Sequence, residues 1–267
     1  MGITGQSRVT LMNAAAVPGS RMRVFITLES LKDYAYDREY YHKLQGFAYG
    51  LLRHTPYAYL HDAADRRIPF CFSNIFPIKE SCAGARKHLI LSSPHPGLVE
   101  AFHTALAGMD EMHIGEMSFR IRDVKTLRPQ LRRGMKLITA TPILLRIPDY
   151  NYERYGIESE RPYEYWRPQY PFEVFVKQLE ENLYKKYKSV LGEDIDEVPL
   201  FDQFAFKGMT TVNLVFNGRT FHMPATYWEF PITHMTKKRR ALLRFALDAG
   251  LGERNSFGLG FVNTVAG

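Results

Sequence analysis

Residues 236–267 read TKKRRALLRFALDAGLGERNSFGLGFVNTVAG, and the order of elements in this stretch decides the fold. Thr236 to Leu247 has helical spacing, Gly250, Gly252, Gly258 and Gly260 follow as G-x-G-x(5)-G-x-G, and Phe257 to Val265 has the composition of a strand. A dinucleotide fingerprint needs strand, glycines, then helix, with an acidic residue about twenty positions on. Here the glycines come after the helix, and no Gly-Lys-Ser/Thr ending makes a Walker loop. A helix C-cap accounts for Gly250. Four glycines so placed point to a loop whose backbone comes close to something, and glycine N–H groups reach phosphate oxygens without a Cβ in the way. Arg254 and Asn255, between the pairs, add side-chain donors.

Working outward, the helix and final strand complete a β-α-β-β-α-β order. It begins with a strand at Lys136 to Arg146 and a helix from Pro171 to Leu191, which carries Phe172, Phe175, Val176, Leu179, Leu183 and Tyr187 on one face. Strands at Phe204 to Lys207, Thr210 to Phe216 and Arg219 to Tyr227 follow, the last two joined by an Asn217-Gly218 hairpin turn. The same order occurs earlier. Arg23 to Leu28 alternates as a strand, and Asp37 to Arg53 is a helix with Asp37 as N-cap. Ile68 to Phe76 and His88 to Ser92 are strands, Gly97 to Leu106 a helix and Met117 to Leu127 a strand. The predicted fold is α+β: two tandem ferredoxin-like (RRM-like) domains, at 22–130 and 131–267, the second carrying the glycine-rich loop at 250–260. Pro148 to Pro171, rich in Tyr and Pro, reads as an irregular linker or insertion. Residues 1–21 read as an extension or expression leader ahead of Met22.

The 267 residues carry 35 basic and 28 acidic side chains, a net charge of +7, which favours a polyanionic partner. Cys71 and Cys82 stand in no metal-ligand spacing, so the default compartment is a reducing cytoplasm. The nine histidines form no H-E-x-x-H pair or Cys/His cluster, which predicts no metal and no cofactor. No apolar run approaches the roughly 18 residues that cross a bilayer.

Tyr49, His61 and the pair Arg66-Arg67 fall within nineteen residues of one another, with His42 one to two turns ahead on the same helix. RNA cleavage without metal requires the 2'-hydroxyl to lose a proton, attack phosphorus in line, and displace a 5'-oxygen that gains one. Histidine, with a pKa of about 6.5, exchanges such protons at neutral pH. A tyrosine hydroxyl positions or deprotonates the 2'-oxygen, and a guanidinium stabilises charge on the phosphorane. Read by base rate alone, the same residues are a capping histidine, a core tyrosine and a solvated turn. Spacing does not rank His42 against His61.

At these residues the chain resembles the CRISPR-associated repeat-processing endoribonucleases, the Cas-six family of the RAMP superfamily. The resemblance runs from Met22 onward. It rests on Met22-Arg23-Val24-Phe25-Ile26, the Tyr40-Tyr41 to Gln45-Gly46-Phe47-Ala48-Tyr49 helix, Tyr59-Leu60-His61, and above all the terminal glycine loop. It implies that Tyr49 matches the family's catalytic tyrosine, His61 its histidine, and Arg67 a position where relatives often carry lysine. Arginine there keeps the charge but is the poorer general acid. Because the family moves its catalytic histidine between subgroups, His42 stays open. The resemblance implies cutting within the repeats of a CRISPR precursor transcript, without metal, to leave a 2',3'-cyclic phosphate and a 5'-hydroxyl. Gly250, Gly252, Gly258 and Gly260 are then binding or architectural. Lys237, Lys238, Arg239, Arg240 and Arg244, with Arg128, Arg132 and Arg133, would hold the RNA backbone. A non-catalytic RAMP subunit that binds guide RNA in an interference complex, and an enzyme of the same fold with a small ligand, are the rival readings. Monomer and homodimer both stay open.

Overall fold

The computed structural model describes residues 22–35, 40–61, 70–78, 80–216 and 219–266. The extension at 1–21, the N-cap expected at Asp37, the Asn217-Gly218 turn and Arg67 lie outside them. In the first module the order is β1 (Arg23–Ser30), α1 (Tyr40–Leu52), a 3₁₀ helix (Ala58–His61), β2 (Cys71–Phe72), β3 (Arg86–Ser92), α2 (Pro96–Ala107), β4 (Glu111–Ile114) and β5 (Met117–Leu127). The five strands lie in the order β2-β3-β1-β5-β4, with β1 antiparallel to both β3 and β5. Strand side chains alternate between faces, so Val24, Ile26 and Leu28 all point at the helices, where Leu44, Ala48, Leu98 and Phe102 bury them. Helix α2 starts where Pro96 fixes φ and the His95 side chain accepts from the Leu98 N–H at 3.3 Å.

Two details depart from the sequence reading. Of the strand expected at Ile68 to Phe76, the described part from Phe70 onward holds a strand only at Cys71–Phe72, and Phe76 makes an isolated bridge to His88. The hairpin β4–β5 is an addition to the expected order; it closes on Gly115-Glu116, with Gly115 at φ +58, which a tight two-residue turn requires.

The second module runs β6 (Met135–Thr139), β7 (Arg146–Pro148), a 3₁₀ helix (Asp149–Asn151), α3 (Tyr152–Tyr155), β8 (Tyr163–Tyr165), α4 (Phe172–Leu191), β9 (Ala205–Phe216), β10 (Arg219–Pro231), α5 (Lys237–Ala249), a 3₁₀ helix (Asn255–Phe257) and β11 (Val262–Ala266). Its sheet order, β11-β6-β10-β9, repeats the ferredoxin-like pattern. The long strand expected at Lys136 to Arg146 is broken. Pro142, which has no N–H to give a ladder, sits between β6 and β7, and β7 pairs instead with β8 in a separate ribbon. The tract at 148–171 is therefore a small folded insertion. The two strands expected around Lys207 are one, β9, with a bulge opposite Tyr227 and Trp228. The last strand starts at Val262 because the residues before it are a 3₁₀ turn and left-handed glycines.

The modules share side chains. Val212, Leu214, Met223 and Ala225, on the far part of the β9–β10 ribbon, belong to the first core, as do Phe257 and Leu259. Trp228 and Phe230, lower on β10, belong to the second. Arg23 of β1 is buried and donates to the carbonyls of Leu247 at 2.5 Å and Val262 at 2.8 Å, with Phe261 under its guanidinium at 4.7 Å. It thus satisfies a free carbonyl at the C-terminal end of α5, where a cation suits the helix dipole. Burial lowers the Arg23 pKa to about 10 and raises that of the neighbouring Asp248 to about 7. Among the described residues no helix is long and apolar enough to cross a membrane.

Candidate functional site

Helix α1 packs against both the 3₁₀ helix after it and the turn Asn255–Phe257 of the glycine loop. Thr55 N–H donates to the Leu52 carbonyl at 3.0 Å and the Thr55 hydroxyl to the same oxygen at 2.8 Å, which reverses the chain at the end of α1. Leu60, buried in the first core, then fixes the Ala58–His61 turn, so the backbone of His61 follows directly from an anchored residue. Tyr49 is 8% exposed in that core, its ring edge-on to Phe70 at 5.2 Å. His42, Gln45 and Gly46 are spaced from Tyr49 by seven, four and three residues along one side of α1. His42 is half-buried there, and a Cβ at Gly46 would meet nothing, so the helix is open at Gly46 and closes toward buried Tyr49. Phe257 and Leu259 of the loop enter the same core as Leu44, Ala48 and Tyr49.

The glycines are buried and all four have positive φ: +83 at Gly250, +65 at Gly252, +80 at Gly258 and +68 at Gly260. Their surroundings assign them to architecture. A Cβ at Gly258 would enter the ring of Phe72, and one at Gly260 would collide with the Leu251 carbonyl. The N–H of Gly250 goes to Ala246, that of Gly258 to Asn255 and that of Gly260 to Pro142, so these donors are used inside the protein. Asn255, expected as a contact residue, is buried and donates to the carbonyls of Leu251 and Leu259 at 3.0 and 2.9 Å. Arg254 stands exposed at φ +58, near the ring of Phe257.

Lys186 of α4 closes the loop from behind. Its Nζ donates to the carbonyls of Gly250 at 2.6 Å and Gly252 at 3.0 Å and to Asn255 Oδ1 at 2.9 Å. Burial pushes this ammonium down from 10.5 to about 7, against the opposing pull of Cys71 and Glu253. The folded pKa lies below the unfolded one, so between these values the unfolded chain binds the extra proton and stability rises with pH. We expect Lys186→Met to flatten the rise in denaturant midpoint from pH 7 to pH 10. Equal slopes in the two proteins would remove Lys186 from this role.

The basic helix divides. Arg239 is buried, its Nε donating to the Pro199 carbonyl at 2.9 Å and its NH1 to Asp202 at 2.6 Å and to the His234 carbonyl at 3.0 Å. Its expected phosphate contact gives way to a tie between α5 and the segment before β9. Lys238 is exposed and paired with exposed Asp196. Lys237 and Arg240 are exposed, as are Arg132 and Arg133. Arg244 lies close enough to Arg128 and Arg240 that their charges add to burial in lowering its pKa. Such a cluster of like charges is the part of the surface that an anion would stabilise.

Sequence reasoning missed Lys186, Arg23 and the Arg146–Glu253 pair, in which Arg146 Nε lies 2.5 Å from the carboxylate of the loop residue. Lys186 had a signal: it lies one turn from buried Leu183 and two turns from buried Leu179, on the flank of the apolar face. Among the described residues, no group of three or more His, Cys, Asp or Glu side chains is placed to hold a metal ion.

The family description CRISPR associated protein Cas6, C-terminal, matches residues 127–264. Over 255 residues the chain is 31% identical to the CRISPR-associated endoribonuclease Cas6 of Haloferax mediterranei, covering 91% of this chain and 94% of the relative. A second relative, the CRISPR-associated endoribonuclease Cas6 2 of Methanocaldococcus jannaschii, is 28% identical over 256 residues, covering 91% of this chain and 100% of its own. A solved structure named CRISPR associated protein Cas6 superposes with a TM-score of 0.66 at 21% identity, covering 91% of this chain and 99% of that one, which speaks to the fold. Twin ferredoxin-like modules, a loop of left-handed glycines wedged between them and this extent of shared sequence place the chain in the CRISPR-associated Cas6 family.

Proposed function

We propose that this protein is an endoribonuclease that cuts CRISPR precursor transcripts within the repeat, without metal, by attack of the 2'-hydroxyl on the adjacent phosphorus. What supports the reading is that α1, which carries Tyr49, packs against both the turn ending at His61 and the glycine loop, in a chain whose relatives are named CRISPR-associated endoribonucleases. In this reading Tyr49, held by Phe70, positions the 2'-oxygen, His61 moves a proton, and Arg67 is assigned the stabilisation of charge on the phosphorane. His42 is the reserve proton carrier on the same helix. The products are a 2',3'-cyclic phosphate and a 5'-hydroxyl.

The test is incubation of end-labelled repeat RNA with the protein in EDTA. One discrete cut, abolished by a single 2'-deoxy substitution at the cut site, is the expected result. Binding of intact RNA with no cut would make the protein a guide-RNA scaffold and end the enzymatic reading.

Arg240, Arg244 and Arg128 supply the phosphate-binding charge in this reading. Arg240→Ala or Arg244→Ala should weaken RNA binding and reduce the slope of log affinity against log salt by about 0.7, the value for one lost contact to a single strand. Arg239→Ala should act otherwise, lowering the melting temperature because it strips partners from Asp202 and the Pro199 carbonyl. A salt slope unchanged in both surface variants would dismiss this face of α5 as the RNA track.

A further inference from the structure

The insertion between β7 and α4 forms one wall of a cavity of about 350 Å³, beside the glycine loop, lined among others by Arg146, Tyr150, Tyr163, Gln178, Asn182 and Glu253. Gln178 and Asn182 are four residues apart on α4 and share a face. Gln178 is only 8% exposed, yet its Nε2 has no hydrogen-bond partner, and neither has Asn182 Oδ1. An amide donor and an amide acceptor one helical turn apart, both closed to solvent and unmatched within the protein, are a feature that folding alone does not favour.

The walls are aromatic. Tyr150 is 68% exposed and Tyr163 36%, an unusual display of large rings to solvent. Arg146 lies over the Tyr163 ring at 5.0 Å and is committed to Glu253, whose carboxylate also accepts from the Arg146 backbone N–H at 3.0 Å. Lys185 stands 3.7 Å from Glu181. Two cations therefore face two carboxylates, and the cavity carries no net charge with which to select a phosphate. What suits it is a neutral, flat, aromatic group with a donor and an acceptor on one edge. A nucleobase has those properties, and single-stranded RNA is read by stacking on aromatic rings and by bonds to base edges.

We infer that this pocket takes one unpaired nucleobase of the bound RNA, stacked on Tyr150, and that the covered amides of Gln178 and Asn182 turn toward it to read its edge. The inference rests on the reading of the protein as an RNA-binding enzyme and adds to it a specificity-determining site away from Tyr49 and His61. The insertion then has a role in binding, since it carries Tyr150 and Tyr163 to the rim.

The test uses a set of single-stranded repeat RNAs, each with 2-aminopurine at one position, bound to the full chain. Fluorescence should fall at one position on binding, because the probe stacks. In Tyr150→Ala that quenching should vanish and affinity should drop about 5- to 150-fold, the range for one base–aromatic stack. Tyr150 is exposed, so this variant tests the site without touching the core. Gln178→Leu, close in volume, should keep the quenching and lose the preference between bases at that position. RNA that binds both variants with wild-type affinity, quenching and base preference overturns the pocket and leaves the nuclease reading standing. Failure of the wild-type protein to bind repeat RNA at all would overturn both.

Discussion

His61→Ala is expected to slow cleavage of repeat RNA by about two to four orders of magnitude while leaving RNA affinity nearly unchanged, since a general acid or base contributes about that much to rate and little to binding. The local structure favours the separation of the two effects. The turn that carries His61 is held by Leu60 in the core and by the Thr55 bonds to Leu52, and neither depends on the imidazole. Single-turnover rates in EDTA, with affinity from filter binding, make the measurement. Full activity in His61→Ala would transfer the proton step to His42, and His42→Ala, run in parallel, should be close to wild type if the assignment stands. A rate loss matched by an equal loss of affinity would instead mark His61 as a binding residue.

Gly260→Ala should cost the protein about 2 to 5 kcal/mol of stability. The sum comes from roughly 1–3 kcal/mol for forcing a methyl into a packed site and roughly 1–2 for holding an L-residue in the left-handed region. At Gly260, φ is +68 and the new methyl would run into the Leu251 carbonyl, which belongs to backbone and cannot swing aside. The same residue exchanges bonds with both neighbours: Leu251 N–H donates to its carbonyl at 2.9 Å and its own N–H to Pro142 at 2.8 Å. In a chain of this size each kcal/mol moves the melting temperature by about 2–4 °C, so a fall of about 4–20 °C is expected in a thermal melt. Gly46→Ala is the control. That glycine is on the exposed side of α1 with nothing near its Cβ position, and the substitution should stabilise by up to about 1 kcal/mol. An unshifted melt for Gly260→Ala would mean that the loop is not a wedge.

Much of the fold is legible where one local signal dominates. The alternation of Val24, Ile26 and Leu28 gives β1, the 3.6-residue period of Phe175, Leu179 and Leu183 gives α4, and Thr236 caps α5 by accepting from the Arg239 N–H at 3.1 Å. Local signals fail where distant chain decides. Pro142 is compatible with a loop or an edge strand until Gly260 is seen to bond its carbonyl. Arg239 looks like its three basic neighbours in the sequence, and only the approach of Asp202 and Pro199 takes it inside. The glycines are readable as a close backbone approach, but the object approached is the protein itself, Phe72 and the Leu251 carbonyl. Tyr49 and His61 enter as candidates through the family resemblance, because a core tyrosine and a turn histidine carry no distinguishing pattern of their own. The pocket at Gln178 has no sequence signal, since its aromatic wall and amide floor come from separate segments.

The sharing of the first core has a consequence for synthesis on the ribosome. Val212, Leu214, Met223, Ala225, Phe257 and Leu259 fill places among residues of the first module, so that module reaches its finished packing only after residue 259 has left the exit tunnel. At about 5–20 residues per second, the nascent first half waits several seconds with an open apolar flank. The two halves mature together, and a ribosome stalled midway holds an aggregation-prone intermediate where a chain of independent domains would already hold a completed one.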